Sequence, residues 1–148
     1  MPRILLTGAT GYIGSHTWLA LLDAGFDVVG VDNFANSSPK VLERLAELAE
    51  RAPAFEQIDV CDHGAMHALF QRHAIDAVVH FAAHKAVGES MQKPLEYYRN
   101  NLGGLVNTAR VMQEHGVRTF VFSSSATVYG HPERLPITED APDRKSVV

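Results

Sequence analysis

Ile4-Leu5-Leu6-Thr7-Gly8-Ala9-Thr10-Gly11-Tyr12-Ile13-Gly14 runs from a short apolar stretch directly into three glycines spaced G-x-x-G-x-x-G. The apolar stretch reads as a strand. After it Ile13, Thr17, Ala20, Leu21 and Ala24 recur at helical spacing, and Gly25 supplies the stop. A glycine turn between strand and helix has a physical use. Gly8 permits the tight turn, Gly11 lets a pyrophosphate approach the backbone, and Gly14 lets the helix pack closely on the strand. The first N–H groups of the helix then face an anion. Glycines alone at such a turn are a weak signal, and Asp32 strengthens it. It closes the next apolar run, where a carboxylate accepts hydrogen bonds from an adenosine ribose and repels a 2′-phosphate, favouring NAD over NADP.

Outward from this turn, apolar runs recur at Ile4–Leu6, Val28–Val31, Phe55–Val60, Ala77–Phe81 and Thr119–Phe122. They are nearly continuous in hydrophobicity, the pattern of strands covered by helices on both faces, which predicts about five parallel strands. Helical segments separate them. Ser38 and Pro39 open one that continues through Val41, Leu42, Leu45 and Leu48. Asp62 caps another through Met66, Leu69 and Phe70, and Pro94 opens a long one from about Leu95 to His115, closed by Gly116. Strand alternating with helix builds right-handed βαβ units, hence an α/β fold with a Rossmann-type doubly wound sheet. Residues 1–130 form this domain, and 131–148, with Pro132, Pro136 and Pro142 among polar residues, read as an irregular tail.

The 148 residues suffice for one domain of ordinary size. Apolar residues make up 46% and charged residues 20%, which excludes disordered and collagen-like classes. The net charge of −4 carries no basic run, so nucleic acid is not an expected partner. The single cysteine, Cys61, cannot form an internal disulfide, and the expected setting is the cytoplasm. No apolar run approaches the roughly 20 residues of a membrane span, so no membrane partner is expected.

The glycine spacing is typical of the extended short-chain dehydrogenase/reductase superfamily, and longer blocks narrow the resemblance. Residues Phe81-Ala82-Ala83-His84-Lys85-Ala86-Val87-Gly88-Glu89-Ser90, with Lys93-Pro94-Leu95-Glu96-Tyr97-Tyr98 and Asn100-Asn101, resemble the corresponding stretch of bacterial UDP-glucose 4-epimerases. Gly11 to His16, Asp32-Asn33-Phe34-Ala35-Asn36-Ser37 and Ser123 to Gly130 add three more blocks in the same order. The resemblance implies NAD as cofactor and a UDP-hexose as substrate, in galactose metabolism. By it, Tyr12 and Ile13 would contact the pyrophosphate, and Asp32 through Ser37 would surround the adenosine ribose. Asp59 and Val60, ending the third strand, would flank the adenine. Phe81, Ala82, Ala83, His84 and Lys85 would line the cofactor, joined by Asn100 from the long helix and by Ser123. Ser125 would be the active-site hydroxyl, with Thr127 and Lys85 as further substrate contacts. Taken singly, Phe81 also reads as core, Lys85 as a surface lysine and Asn100 as a helix-surface amide. Ser123 and Ser124 also read as partners of local backbone.

The resembled enzymes move a hydride between hexose C4 and the nicotinamide while a tyrosine, assisted by a lysine four residues later, handles the hydroxyl proton. Tyr12, Tyr97, Tyr98 and Tyr129 are followed four positions on by His16, Asn101, Leu102 and Glu133, none of them lysine. The Tyr-x-x-x-Lys of the family falls after the proline-rich segment, so the expectation is a truncated or frame-shifted product, with the sheet incomplete at its C-terminal edge and no activity of its own. Those enzymes also pair as homodimers through two helices, of which only that from about Leu95 to His115 is present. A nucleotide-sugar dehydratase would carry an acidic pair where Ala126 and Thr127 stand, and a non-catalytic NAD-binding module is the other reading. His63 with His67, and His80 with His84, are spaced four apart, but neither pair has an obvious third ligand nearby, so no metal site is expected.

Overall fold

The computed structural model describes residues 1–125, 129 and 134–141. The expected sugar contact Thr127 and most of the expected tail, 131–148, lie outside them. Five strands form: β1 (Arg3–Thr7), β2 (Asp27–Asp32), β3 (Ala54–Gln57), β4 (Ala77–His80) and β5 (Thr119–Phe122). All pair in parallel, in the order β3-β2-β1-β4-β5. The chain thus winds outward from β1 to one edge and then from β4 to the other, as the βαβ pattern requires.

Between strands lie α1 (Tyr12–Asp23), α2 (Lys40–Ala49), α3 (His63–Arg72), α4 (Val87–Gln92), α5 (Pro94–Tyr98) and α6 (Gly104–Glu114). A π-turn, Arg99–Gly103, joins α5 to α6, so the single long helix of the sequence reading is one helical path with a widened turn in it. The short α4 was not anticipated. Gly25 and Gly116 have φ of +84° and +71°, the left-handed conformation that ends a helix and that glycine adopts at least cost. The Asp62 Oδ1 accepts from Ala65 N at 3.0 Å and caps α3, whereas α2 has Pro39 at its N-cap and Ser38, one residue earlier, accepts from Lys40 N at 3.4 Å.

Strand residues alternate between two cores. Leu5, Val29, Val31 and Val78 meet Met66, Leu69 and Phe70 of α3 and Val111 and Met112 of α6. Ile4, Leu6, Val28 and Val79 meet Trp18 of α1 and Leu45 of α2. Two expectations about burial need correction. The outer strands β3 and β5 are largely exposed, with Val121 and Phe122 each about half exposed, because they lie at sheet edges. Among the described residues no strand pairs with the outer edge of β5. On α1 the inward residues are Gly14 and Trp18, whereas Ile13 is 57% exposed. Of the expected stripe, Leu21 packs against the core, while Ile13 faces the cleft at the helix start. Among the described residues no helix is long and apolar enough to cross a membrane.

Trp18 is packed so tightly against β2 that a Cβ on Gly30 would lie 2.1 Å from its ring. We expect Gly30→Ala to cost about 1–3 kcal/mol through overpacking. Adding Trp18→Phe should recover part of that loss, so that the double variant falls short of the sum of the singles in urea unfolding. Strict additivity would show that the two residues are not in contact.

Candidate functional site

Because the winding direction reverses between β1 and β4, the connections leaving their C-terminal ends diverge and open a crevice. The cleft there has a volume of about 580 Å³, within the usual range for small-molecule sites. Its lining comes from every strand end. The β1–α1 turn gives Gly8, Gly11, Tyr12, Ile13 and Gly14, and the chain after β2 gives Asp32, Asn33, Ala35 and Asn36. Ile58 and Val60 follow β3, Phe81 through Lys85 follow β4, Ser123 through Ser125 follow β5, and Asn100 reaches in from the π-turn.

The three glycines of the turn have different reasons. Gly8 takes a φ of +66°, and a Cβ there would lie 2.7 Å from Ala82 N, so the turn is wedged against the chain leaving β4. A Cβ on Gly14 would lie 2.1 Å from the Gly8 carbonyl oxygen, so α1 starts directly on the turn. At Gly11 the nearest protein atom is that same oxygen at 3.2 Å, the least crowding of the three. Gly11 is also the N-cap of α1 and has no side chain to satisfy the first-turn N–H groups, which leaves them as donors toward the cleft.

Asp32, 8% exposed, ties this turn to the next loop. Its Oδ2 accepts from Thr10 N at 3.1 Å, and its Oδ1 accepts from Phe34 N at 2.9 Å and from Ser37 Oγ at 3.2 Å. A carboxylate offers about four acceptor directions, so one remains. Phe34, at a φ of +58°, is held by that bond and by its ring against Phe55, 5.2 Å between centroids. Its side chain thereby packs on β3.

Past β4 the chain is held by two side-chain clamps. His80, 2% exposed, meets Thr7 Oγ1 through Nδ1 at 2.8 Å, while Ala82 N donates to the same oxygen at 3.3 Å. The Thr7 hydroxyl thereby ties the buried His80 ring to the backbone leaving β4. Burial, with the nearby Lys85 charge, lowers its pKa to about 4. Farther on, Asn101 Oδ1 accepts from His84 N at 2.8 Å, and its Nδ2 donates to His84 O at 3.0 Å. Neighbouring Asn100 is 8% exposed and donates to Asn101 Oδ1 at 3.0 Å while lining the cleft. The π-turn thus aims one amide into the cleft and the next at the chain that walls it, a common use of such turns.

Of the residues expected from sequence, Phe34, Ser37 and Asp59 do not line the cleft. Phe34 packs on Phe55, Ser37 braces Asp32 and also meets Thr10 Oγ1 at 2.8 Å, and Asp59 Oδ1 accepts from Cys61 N at 2.8 Å. Asp59 and Val60 do not end the third strand either, since its ladder stops at Gln57 and the chain turns at Asp59. Two lining residues were missed, Ile58 and Ser124. Ile58 shares the inward parity of Val60, a period-two signal present in the apolar run.

Residues 4–147 match the NAD dependent epimerase/dehydratase family. The chain is 51% identical to the UDP-glucose 4-epimerase of Mus musculus over 148 residues, covering 96% of this chain and 43% of that protein. The crystal structure of UDP-glucose 4-epimerase from Stenotrophomonas maltophila, with bound NAD and formylated UDP-arabinopyranose, superposes with a TM-score of 0.91 at 47% identity, over 97% of this chain and 43% of that one. That from Bifidobacterium longum, in complex with NAD+ and UDP, gives 0.91 at 48% identity, over 95% and 42%. The chain thus spans less than half the length of these relatives.

His80 makes the site's support pH-dependent. With its folded pKa near 4, below the ordinary histidine value of 6.5, the native state binds fewer protons than the unfolded chain between those values. Its contribution is fully present above about pH 6.5 and lost as pH falls toward 4, about 3 kcal/mol in all. Urea midpoints measured across this window should fall less steeply for His80→Asn than for the parent; equal slopes would refute the assignment.

Proposed function

The chain belongs to the NAD dependent epimerase/dehydratase family, and on that premise we propose that its cleft holds NAD and serves the interconversion of UDP-glucose and UDP-galactose in a protein of the relatives' full length. One observation carries the reading: a single crevice joins a helix start whose N-cap has no side chain to a carboxylate with one acceptor direction left. The N–H groups of Tyr12 and Ile13 hold the pyrophosphate at the start of α1. Gly11 keeps that approach clear. Asp32 accepts from a ribose hydroxyl, and its charge disfavours a 2′-phosphate. Ile58 and Val60 form an apolar wall for the adenine. Lys85, a cation on the cleft lining, and Asn100 bind the nicotinamide half. NAD bound there supplies a reversible hydride acceptor for carbon 4 of the hexose.

Ser125, past the end of β5 on the cleft, hydrogen-bonds the sugar oxygen whose proton moves, with Thr127 beside it in sequence. The base that takes this proton is not supplied by a Tyr-x-x-x-Lys pattern within these residues, so turnover is proposed for the longer protein. That same point favours a second reading, a non-catalytic NAD-binding module. Exposed Leu95, Tyr98, Leu102 and Val106 along α5, the π-turn and α6 support an interface between two copies of the longer protein. A cytosolic setting accords with the single cysteine.

Calorimetry on the purified chain should give saturable NAD binding, with NADP weaker by about tenfold or more. Gly11→Val, whose Cβ would lie 3.2 Å from the Gly8 carbonyl oxygen, should keep the fold by circular dichroism after a small shift of that turn and lose at least about tenfold in NAD affinity. A folded parent chain that binds neither nucleotide would sink the proposal. UDP-galactose turnover is expected only from the longer protein, and its absence there, with NAD still bound, would favour the non-catalytic module.

A further inference from the structure

Between α3 and α6, donors that lie far apart in sequence come together. His63 Nε2 lies 3.4 Å and His67 Nδ1 lies 3.2 Å from the same Glu114 Oε2. All three donor atoms fall within 4.8 Å of one another, and His115 Nε2 lies 3.2 Å from His67 Nδ1. The spacing of His63 and His67 on α3 lacked a third ligand in the sequence; the end of α6 supplies it. We propose that His63, His67 and Glu114 form a binding site for a divalent transition metal of the zinc type, with His115 or water completing the shell.

Three features support this reading. The first is distance. Bonds of about 2.0–2.2 Å to a tetrahedral ion place neighbouring ligand atoms about 3.4 Å apart, which two of the three spacings already match. The second is the hydrogen bonding behind the ligands. Asn107 Nδ2 donates to Val60 O at 2.6 Å, so its Oδ1 must face His63 Nδ1, 2.9 Å away, and accept a proton from it. With the Nδ1 proton held there, Nε2 is the nitrogen left for a metal on the Glu114 side, the arrangement that an amide or carboxylate behind a metal-bound histidine provides. Metal on His67 Nδ1 puts its proton on Nε2, where the Gln71 amide, 3.1 Å away, accepts it after a half-turn. Arg110 Nε meanwhile holds the other carboxylate oxygen of Glu114 at 3.0 Å. The third is electrostatic. The carboxylate of Glu114 faces both imidazoles, and a cation among the three meets its negative charge. Imidazole nitrogens with one carboxylate suit zinc, and a hard ion such as magnesium prefers an all-oxygen shell. The side chains of His63, His67 and Glu114 are each about one-third exposed, which leaves an access route.

The test uses the chain free of any polyhistidine tag, stripped with a chelator. Zinc titrated by calorimetry should bind at one equivalent, uncompeted by magnesium, and raise the melting temperature by clipping α3 to α6. Cobalt should give the visible absorption bands of a tetrahedral site. His67→Gln and the isosteric Glu114→Gln should each weaken zinc at least about tenfold, and Asn107→Ala by about 10–100-fold. On the parent chain, where no variant has to fold, zinc should protect His63 and His67 from diethyl pyrocarbonate, mapped by mass spectrometry, while leaving exposed His16 reactive. No saturable binding, undiminished binding in the variants, or unprotected His63 and His67 at zinc saturation would each overturn the proposal.

Discussion

The carbonyl oxygen of Gly8 sits where a side chain on Gly14 would be, and the Cα of Gly8 lies against the backbone of Ala82. That double contact sets the distance between the end of β1, the start of α1 and the chain leaving β4, so the width of the crevice is decided by backbone meeting backbone. Asp32 completes the frame by reaching from the end of β2 to the N–H of Thr10 inside the same turn. One buried carboxylate thereby couples the glycine turn to the loop that precedes α2. Its neighbour Thr7 performs the matching service on the other side through His80 and Ala82 N.

This economy explains why much of the architecture was legible from residues alone. The apolar runs, the glycine spacing and the caps at Asp62, Gly25 and Gly116 are local signals, each with a steric or hydrogen-bonding cause that does not wait for the rest of the fold. Burial is less local. Ile13 and Leu48 are apolar yet exposed, and the inward face of α1 is set by Gly14 and Trp18, because the helix axis is fixed by the turn before it and by the hollow at Gly30. Hydrophobic period reads a helix's own composition, not the surface it lies on.

The same limit governed the site. Residues at strand ends lie on the cleft where the backbone itself forms the wall, as at Gly11 and Ala82. Where the side chain decides, sequence position says less: Phe34 turns to Phe55, Ser37 to Asp32, and Asp59 to the backbone of its own turn. Ile58 lines the cleft because it shares a face with Val60, which an alternation count across residues 58–60 contains. The cluster on α3 and α6 joins residues some fifty positions apart, and no reading of spacing within one helix reaches that far.

The π-turn at Arg99–Gly103 remains the least regular part of the scaffold, and it acts as a phase shifter. A regular helix rotates about 100° per residue, so a turn one residue wider sets α6 at an angle about its axis that α5 alone would not give it. Asn100 faces the cleft and Asn101 holds the backbone of His84, while Thr108, Val111 and Met112 further along lie buried. A shortening of this turn by a single residue would leave every side chain of α6 chemically unchanged and present the wrong ones to the core. Descendants of this sequence are therefore free to vary the outward residues of α5 and α6 far more readily than they are free to change the number of residues between them.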